Sequence, residues 1–196
     1  VNDPGRNLRI FEKLLSEGKT LDPRQQFYYG RELLGNERFS EAITVLERFL
    51  DDEQGWVENK INACQDLSSC YFHLGETGKA LSALFRSFHY DKPRAEICCA
   101  VGEHFMSAGS YEIAAYWYEK ALECQPDTTS GGFYTLECYD FIPYIQLCVC
   151  YDKMGDVEKA FSYHRKSEKC RPGDPHVLYN KKYFSKKMNI GHLEGK

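Results

Sequence analysis

One short phrase returns four times along the chain. Ala42, Ala80, Ala114 and Ala160 each close a turn-then-helix signature: Asn36-Glu37-Arg38-Phe39-Ser40-Glu41-Ala42, Gly75-Glu76-Thr77-Gly78-Lys79-Ala80, Gly109-Ser110-Tyr111-Glu112-Ile113-Ala114 and Gly155-Asp156-Val157-Glu158-Lys159-Ala160. The alanines are 38, 34 and 46 residues apart. A step of about 34 residues is the length of a two-helix repeat. The other two spacings are that length with short insertions. A single helix pair cannot bury its own apolar face, so such pairs stack into a continuous core. The resulting arrays serve more as binding surfaces than as catalytic folds.

The bulk chemistry narrows the function further. With 42% hydrophobic and 28% charged residues, the 196-residue chain is not of disordered composition. Its net charge of -4 weighs against nucleic acid, because binding there comes largely from cations that neutralise phosphates. No apolar run approaches the ~18–20 residues that a membrane span needs. Val1 opens the sequence with no basic-then-apolar leader behind it, which leads us to expect a piece cut from a longer protein.

Nine cysteines are present, and Cys64, Cys70, Cys98, Cys99, Cys148 and Cys150 lie in apolar helical stretches. There is no C-x-x-C, and positions i and i+2 of a helix face different ways, so Cys148 and Cys150 do not suit one metal ion. The expectation is buried, reduced thiols in a reducing cytoplasm. The histidines, His73, His89, His104, His164, His176 and His192, contain no i, i+4 pair. We therefore expect neither a metal nor a cofactor.

Apolar periodicity predicts helices throughout and strands nowhere. A first helix covers 6–17, carried by Leu8, Phe11, Leu14 and Leu15. Asp22 then caps a second helix that has Pro23 at its first position. A-helices are expected near 23–35, 58–73, 94–107 and 140–153, and B-helices near 39–51, 77–90, 111–124 and 157–169. A last helix is expected over 175–187. Gly75, Gly109 and Gly155 suit the turns between them. Two connections are longer, Asp51–Trp56 and the polar-then-aromatic insertion Asp127–Cys138. That insertion is either a spacer or part of a binding face.

At these residues the chain resembles the tetratricopeptide repeat (TPR) family. The third unit carries Gly102, Phe105, Gly109, Tyr111, Ala114, Tyr118, Ala121 and Pro126 at the family's signature spacings. The fourth has Leu147, Tyr151, Gly155, Ala160 and Pro172, with Cys148 where the family favours a small residue. The second has Tyr71, Gly75 and Ala80, with Thr77 in place of the turn aromatic. The first has Gly30, Phe39 and Ala42, with Phe49 at a later small-residue position. The resemblance implies an all-α, right-handed superhelical TPR-like solenoid of about four helix pairs with capping helices at both ends. Its parts would be a cap and linker over 1–21, units over 22–55, 56–93, 94–138 and 139–173, and a solvating helix and tail over 174–196.

A narrower resemblance rests on Arg6-Asn7-Leu8-Arg9-Ile10-Phe11, Asp22-Pro23-Arg24, Pro93-Arg94-Ala95-Glu96-Ile97, Phe141-Ile142-Pro143-Tyr144 and Leu178-Tyr179-Asn180-Lys181-Lys182-Tyr183-Phe184. These phrases are similar to the repeat tails of bacterial family 2 glycosyltransferases. They imply a missing N-terminal catalytic domain. This chain has no Asp-x-Asp to hold a divalent metal on a sugar nucleotide, and Asp51-Asp52-Glu53 has no phosphate-cradling loop beside it, so no catalytic residues are expected here.

In a TPR stack the A-helices line a concave groove. The positions this implies are Phe27, Arg31, Asn62, Gln65, Ser69, Phe72, His73, Cys99, Glu103, Met106, Ile145, Val149 and Asp152. Apolar anchors among amides suit a peptide or protein ligand. The family's basic clamp for C-terminal carboxylates would fall on Phe27, Arg31, Ser69, Cys99 and Glu103, and only Arg31 has the charge for it. Three readings stay open: a glycosyltransferase tail that binds an acceptor or dimerises the enzyme, a stand-alone scaffold or peptide sensor, and an enzyme with a cysteine nucleophile.

Overall fold

A computed structural model describes residues 5–126, 131–132 and 134–194, with side chains through residue 188. The sequence expectations for 1–4, 127–130, 133 and 195–196, and for the His192 side chain, fall outside the described residues. The chain divides into two compact units, Val1–Lys92 and Pro93–Lys196. Among the described residues every regular element is helical.

The first unit holds α1 (Arg6–Ser16), α2 (Pro23–Gly35), α3 (Phe39–Asp51), α4 (Val57–His73) and α5 (Thr77–Arg86), followed by a 3-10 turn Ser87–His89. Helix α2 begins where Asp22 and Pro23 place it. Asp22 Oδ1 accepts from the Gln25 amide at 2.8 Å, and Gln25 Oε1 accepts from the Asp22 amide at 3.0 Å. That reciprocal pair satisfies two amides that the helix itself leaves open.

Helices α2 and α3 approach closely because position 30 is glycine. A Cβ there would stand 2.6 Å from Leu46 Cδ2. Phe27, Leu46, Phe49, Leu50 and Leu67 fill the space beside this crossing. Arg86 ties α5 to α3 through Glu47 at 2.6 Å and Asp51 at 2.8 Å.

The second unit holds α6 (Ala95–Ser107), α7 (Tyr111–Glu123), a 3-10 turn Leu136–Tyr139, α8 (Phe141–Lys153), α9 (Val157–Cys170) and α10 (Pro175–Glu194). The repeated alanines behave as their spacing implies: Ala42, Ala80, Ala114 and Ala160 are all fully buried. The A-to-B turns share one hydrogen-bond pattern. In the third, the Gly109 amide donates to Met106 O at 3.0 Å and the Ser110 amide to Phe105 O at 2.9 Å. Three of these turns put glycine in the left-handed region. The first puts Glu37 there, at φ 59°.

Glu96 on α6 anchors the end of the insertion and the residue that follows it. It accepts from the Thr135 amide at 2.8 Å and from the Tyr139 hydroxyl at 3.0 Å. Helix α10 runs seven residues past the expected end at 187. Its Val177 and Phe184 are fully buried. Phe184 lies 5.5 Å from the rings of both Phe161 and His164 on α9.

Candidate functional site

The capping box fixes the phase of α2, and with it the faces of Phe27 and Arg31 one turn apart. On α4, Asn62, Asp66, Ser69 and His73 recur at i, i+4, i+7 and i+11, one stripe of a helix. The two helices pack against each other. Where they meet, Arg31 Nε stands 3.3 Å from Asp66 Oδ2, and the Arg31 guanidinium lies 5.6 Å from the Phe27 ring centroid. The arginine side chain is half exposed and the aspartate side chain only 18% exposed.

Asp66 Oδ2 has the charge contact but makes no hydrogen bond. Burial raises the Asp66 carboxyl to about 6 against the opposing pull of Arg31. This buried acceptor shares its stripe with expected site residues, yet it was not among them. The i, i+4, i+7 spacing from Asn62 was the signal that could have found it.

The expected groove residues divide by environment. In the first unit Arg31, Phe72 and His73 are exposed, while Asn62, Gln65 and Ser69 are partly so. His73 stacks flat on Phe39, with centroids 4.6 Å apart and planes 4° from parallel. Phe27 corrects the expectation of an outward anchor. It is 1% exposed, with the Phe49 ring centroid 5.6 Å from its own and the Arg31 guanidinium also 5.6 Å away.

In the second unit Glu103 is exposed, and Met106 and Val149 are partly buried. Met106 Sδ lies 3.8 Å from Cys150 Sγ. Cys99 is buried, and its Sγ lies 3.6 Å from the Cys138 carbonyl. Two further positions are taken up by α10. Ile145 is buried in a cluster with Phe141 and Val177. Asp152 accepts from the Tyr183 hydroxyl at 2.8 Å and from Lys187 Nζ at 2.6 Å. The end helix thus supplies their partners, which the A-helix pattern alone does not reveal.

Two cavities lie elsewhere in the first unit, against α1. One of about 300 Å³ is lined by Leu15, Leu21, Gln26, Tyr29 and Val45, and a second of about 250 Å³ by Ile10, Phe11, Arg24 and Tyr28. Among the described residues no three His, Cys, Asp or Glu side chains converge as metal ligands would. Burial pushes the thiols of Cys64 and Cys148 up to about 12 and that of Cys70 up to about 11, the opposite of an activated nucleophile. Among the described residues no helix is long and apolar enough to cross a membrane.

Known structures place this architecture. The chain is similar to MamA, with 20% identity over 83% of this chain and 85% of that one and a TM-score of 0.65. It is also similar to YrrB, a TPR protein with an unusual peptide-binding site, at 18% identity over 91% and 84% with a TM-score of 0.65. A third likeness is to PilF of Pseudomonas aeruginosa, at 15% identity over 88% and 71% with a TM-score of 0.62. No protein-family model matches the chain, and no curated protein matches it. The likeness establishes the fold alone: the chain has the all-α helical-repeat fold of tetratricopeptide repeat proteins.

Proposed function

We propose that this chain is a non-catalytic domain that binds a peptide or protein along the exposed faces of its A-helices. The observation that carries this reading is the α2–α4 surface of the first unit. There Arg31, Asn62, Gln65, Ser69 and Phe72 present one cation, two amides, a hydroxyl and a half-exposed ring side by side. Amides and hydroxyls suit a ligand's main chain, and an exposed aromatic suits an apolar anchor. The peptide-binding site of YrrB, on the same fold, supports the same class of partner.

The finer part of the proposal is context. The glycosyltransferase-like phrases support a tail that captures the acceptor beside a catalytic domain in the cytoplasm and raises its local concentration. Homodimerisation through the same domain is compatible with that role. A stand-alone scaffold has the same binding surface and differs only in what precedes Val1, so the upstream coding sequence decides between the two.

Peptides selected by phage display on the 196-residue chain test the binding. They should lose affinity by about tenfold or more on Arg31→Glu or Phe72→Ala. Selection of no specific peptide, or unchanged affinity in both variants, would remove the α2–α4 surface from the proposal. For the tail, deleting this domain from the parent enzyme should raise KM for a peptide acceptor more than it lowers sugar-nucleotide hydrolysis. Equal activity with and without it would sink the idea.

A further inference from the structure

The linker after α1 stands over a hollow. Gly18 turns the chain off the helix in the left-handed region, at φ 74°, and the Lys19 amide donates back to Leu14 O at 3.1 Å. Leu21 O then accepts from Gln26 Nε2 at 3.0 Å, which ties the linker's far end to α2. Held at both ends, the linker faces α2 and α3 across the cavity of about 300 Å³. That volume is at the small end of ligand pockets and equals about ten waters.

The cavity combines apolar walls with two unanswered polar groups. Leu15, Leu21, Tyr29 and Val45 supply the apolar lining. Gln26 lines it too, and its bond to Leu21 fixes which amide atom is the oxygen. That oxygen, Oε1, is buried and accepts no hydrogen bond. Arg48 is the exposed member of the lining on α3, and among the described residues its guanidinium has neither an ion pair nor a hydrogen bond. The other cation of the lining, Lys19, is taken up by Glu17 at 2.8 Å. A native fold rarely leaves a buried acceptor without a donor. An apolar pocket with a few polar groups around it is the usual form of a small-molecule site.

We propose that this cavity binds a small aromatic carboxylate that carries one ring N–H or O–H, a molecule of the size of an indole acid. The ring fills the space between Leu15, Leu21, Tyr29 and Val45. The carboxylate pairs with Arg48, whose planar fork matches its two oxygens. The ring N–H donates to Gln26 Oε1 and supplies the hydrogen bond that this oxygen lacks.

The site is separate from the α2–α4 surface. None of Arg31, Asn62, Gln65, Ser69 and Phe72 lines the cavity, and the ligand is a small acid rather than a peptide. Arg48 sets the preference for an anion, and Gln26 sets the preference for a donor on the ring.

The test titrates indole-3-propionate into the 196-residue chain and follows the backbone amides by proton–nitrogen NMR. The expected result is saturable shifts centred on residues 15–29 and 44–48, with a Kd of about 1 mM or tighter. Indole-3-propionamide, which lacks the charge, and 3-(1-naphthyl)propionate, which lacks the N–H, should each bind about threefold more weakly or worse. Arg48→Ala should weaken the acid by about the same factor and leave the uncharged amide unaffected. No saturable shifts up to about 5 mM, or shifts that centre on the α2–α4 surface instead, would overturn the proposal. So would equal affinity for acid and amide, or for indole and naphthalene. The three compounds on the unaltered chain decide the matter if the variant does not fold.

Discussion

The ring of Tyr118 lies directly over the α-carbon of Gly102. A methyl group built on that glycine would come within 2.9 Å of the ring's Cζ and 3.0 Å of Cε2. Tyr118 is 1% exposed and has no room to retreat, so the contact fixes how closely α6 and α7 cross. Gly102→Ala should therefore destabilise the second unit by about 1–3 kcal/mol, the cost of overpacking a filled core. Gly78, in the first turn of α5, is the control. Nothing lies within 4 Å of its missing Cβ, and Gly78→Ala should stabilise by up to about 1 kcal/mol. Urea unfolding followed by far-ultraviolet circular dichroism measures both, and a neutral Gly102→Ala would contradict the close crossing.

Asp66 sets a pH dependence in the first unit. Its folded-state carboxyl is raised to about 6 by burial, above its ordinary value of 3.8, so the folded chain holds the proton more tightly than the unfolded one. The stability this group contributes is present below about 4 and is lost as pH rises through about 6. Asp66→Asn should leave stability nearly unchanged at pH 4 and raise it by about 1–3 kcal/mol at pH 7, despite losing the charge contact with Arg31. Trp56 fluorescence in a Trp117→Phe background isolates this unit. A variant less stable than its parent at pH 7 would show that the ion pair outweighs the desolvation.

Glu119 on α7 gathers two phenols from two helices. Its Oε1 accepts from Tyr151 at 2.8 Å and Tyr163 at 3.1 Å, and Lys159 Nζ stands 3.4 Å away. Burial acts to raise the Glu119 carboxyl, but these donors outweigh it and hold the group below its ordinary range. Its contribution is thus present above the unfolded value of about 4.5 and fades as pH falls below it. Glu119→Ala leaves the buried Tyr163 hydroxyl without its acceptor and should cost about 1–3 kcal/mol. Glu119→Gln keeps an acceptor and should cost less, a ranking that chemical unfolding at pH 7 checks directly.

His164 and Phe184 respond oppositely to charge and to size. His164 is 1% exposed, its Nδ1 has no hydrogen-bond partner, and burial lowers its pKa. The unfolded chain takes up that proton first, so the second unit should hold full stability above about 6.5 and lose it as pH falls. His164→Leu should blunt that acid loss. Phe184→Ala should cost about 3–5 kcal/mol at every pH, because it empties a buried aromatic site. Trp117 fluorescence in a Trp56→Phe background reads both, and an unaltered acid slope in His164→Leu would count against the histidine.

Local signals made the helices legible in the sequence. Asp22 and Pro23 start α2 where they should, and the turn glycines stop the A-helices within a residue or so of the expected ends. The inward or outward sense of single residues was not equally legible. Helical spacing gives a face, but the element that covers that face can come from far along the chain. Ile145 is buried partly by Val177, thirty-two residues later, and Asp152 is held by Tyr183 and Lys187. Phe27 is closed off by Phe49 from the next helix. Asp66 is not legible in the sequence because a charged residue on a helix is ordinarily solvated, and only the tertiary packing around it makes its carboxylate unusual.

The glycine crossings carry a consequence for the kinetics of recognition. With Leu46 set against Gly30 and Tyr118 against Gly102, each of these helix pairs is interlocked before any ligand arrives. A partner meeting the exposed side of such a pair would find its backbone already in place and would lose little affinity to ordering it. Association should then proceed at the rate of orienting two rigid bodies, about 10⁵–10⁷ M⁻¹s⁻¹, and differences among ligands should appear in how long they stay.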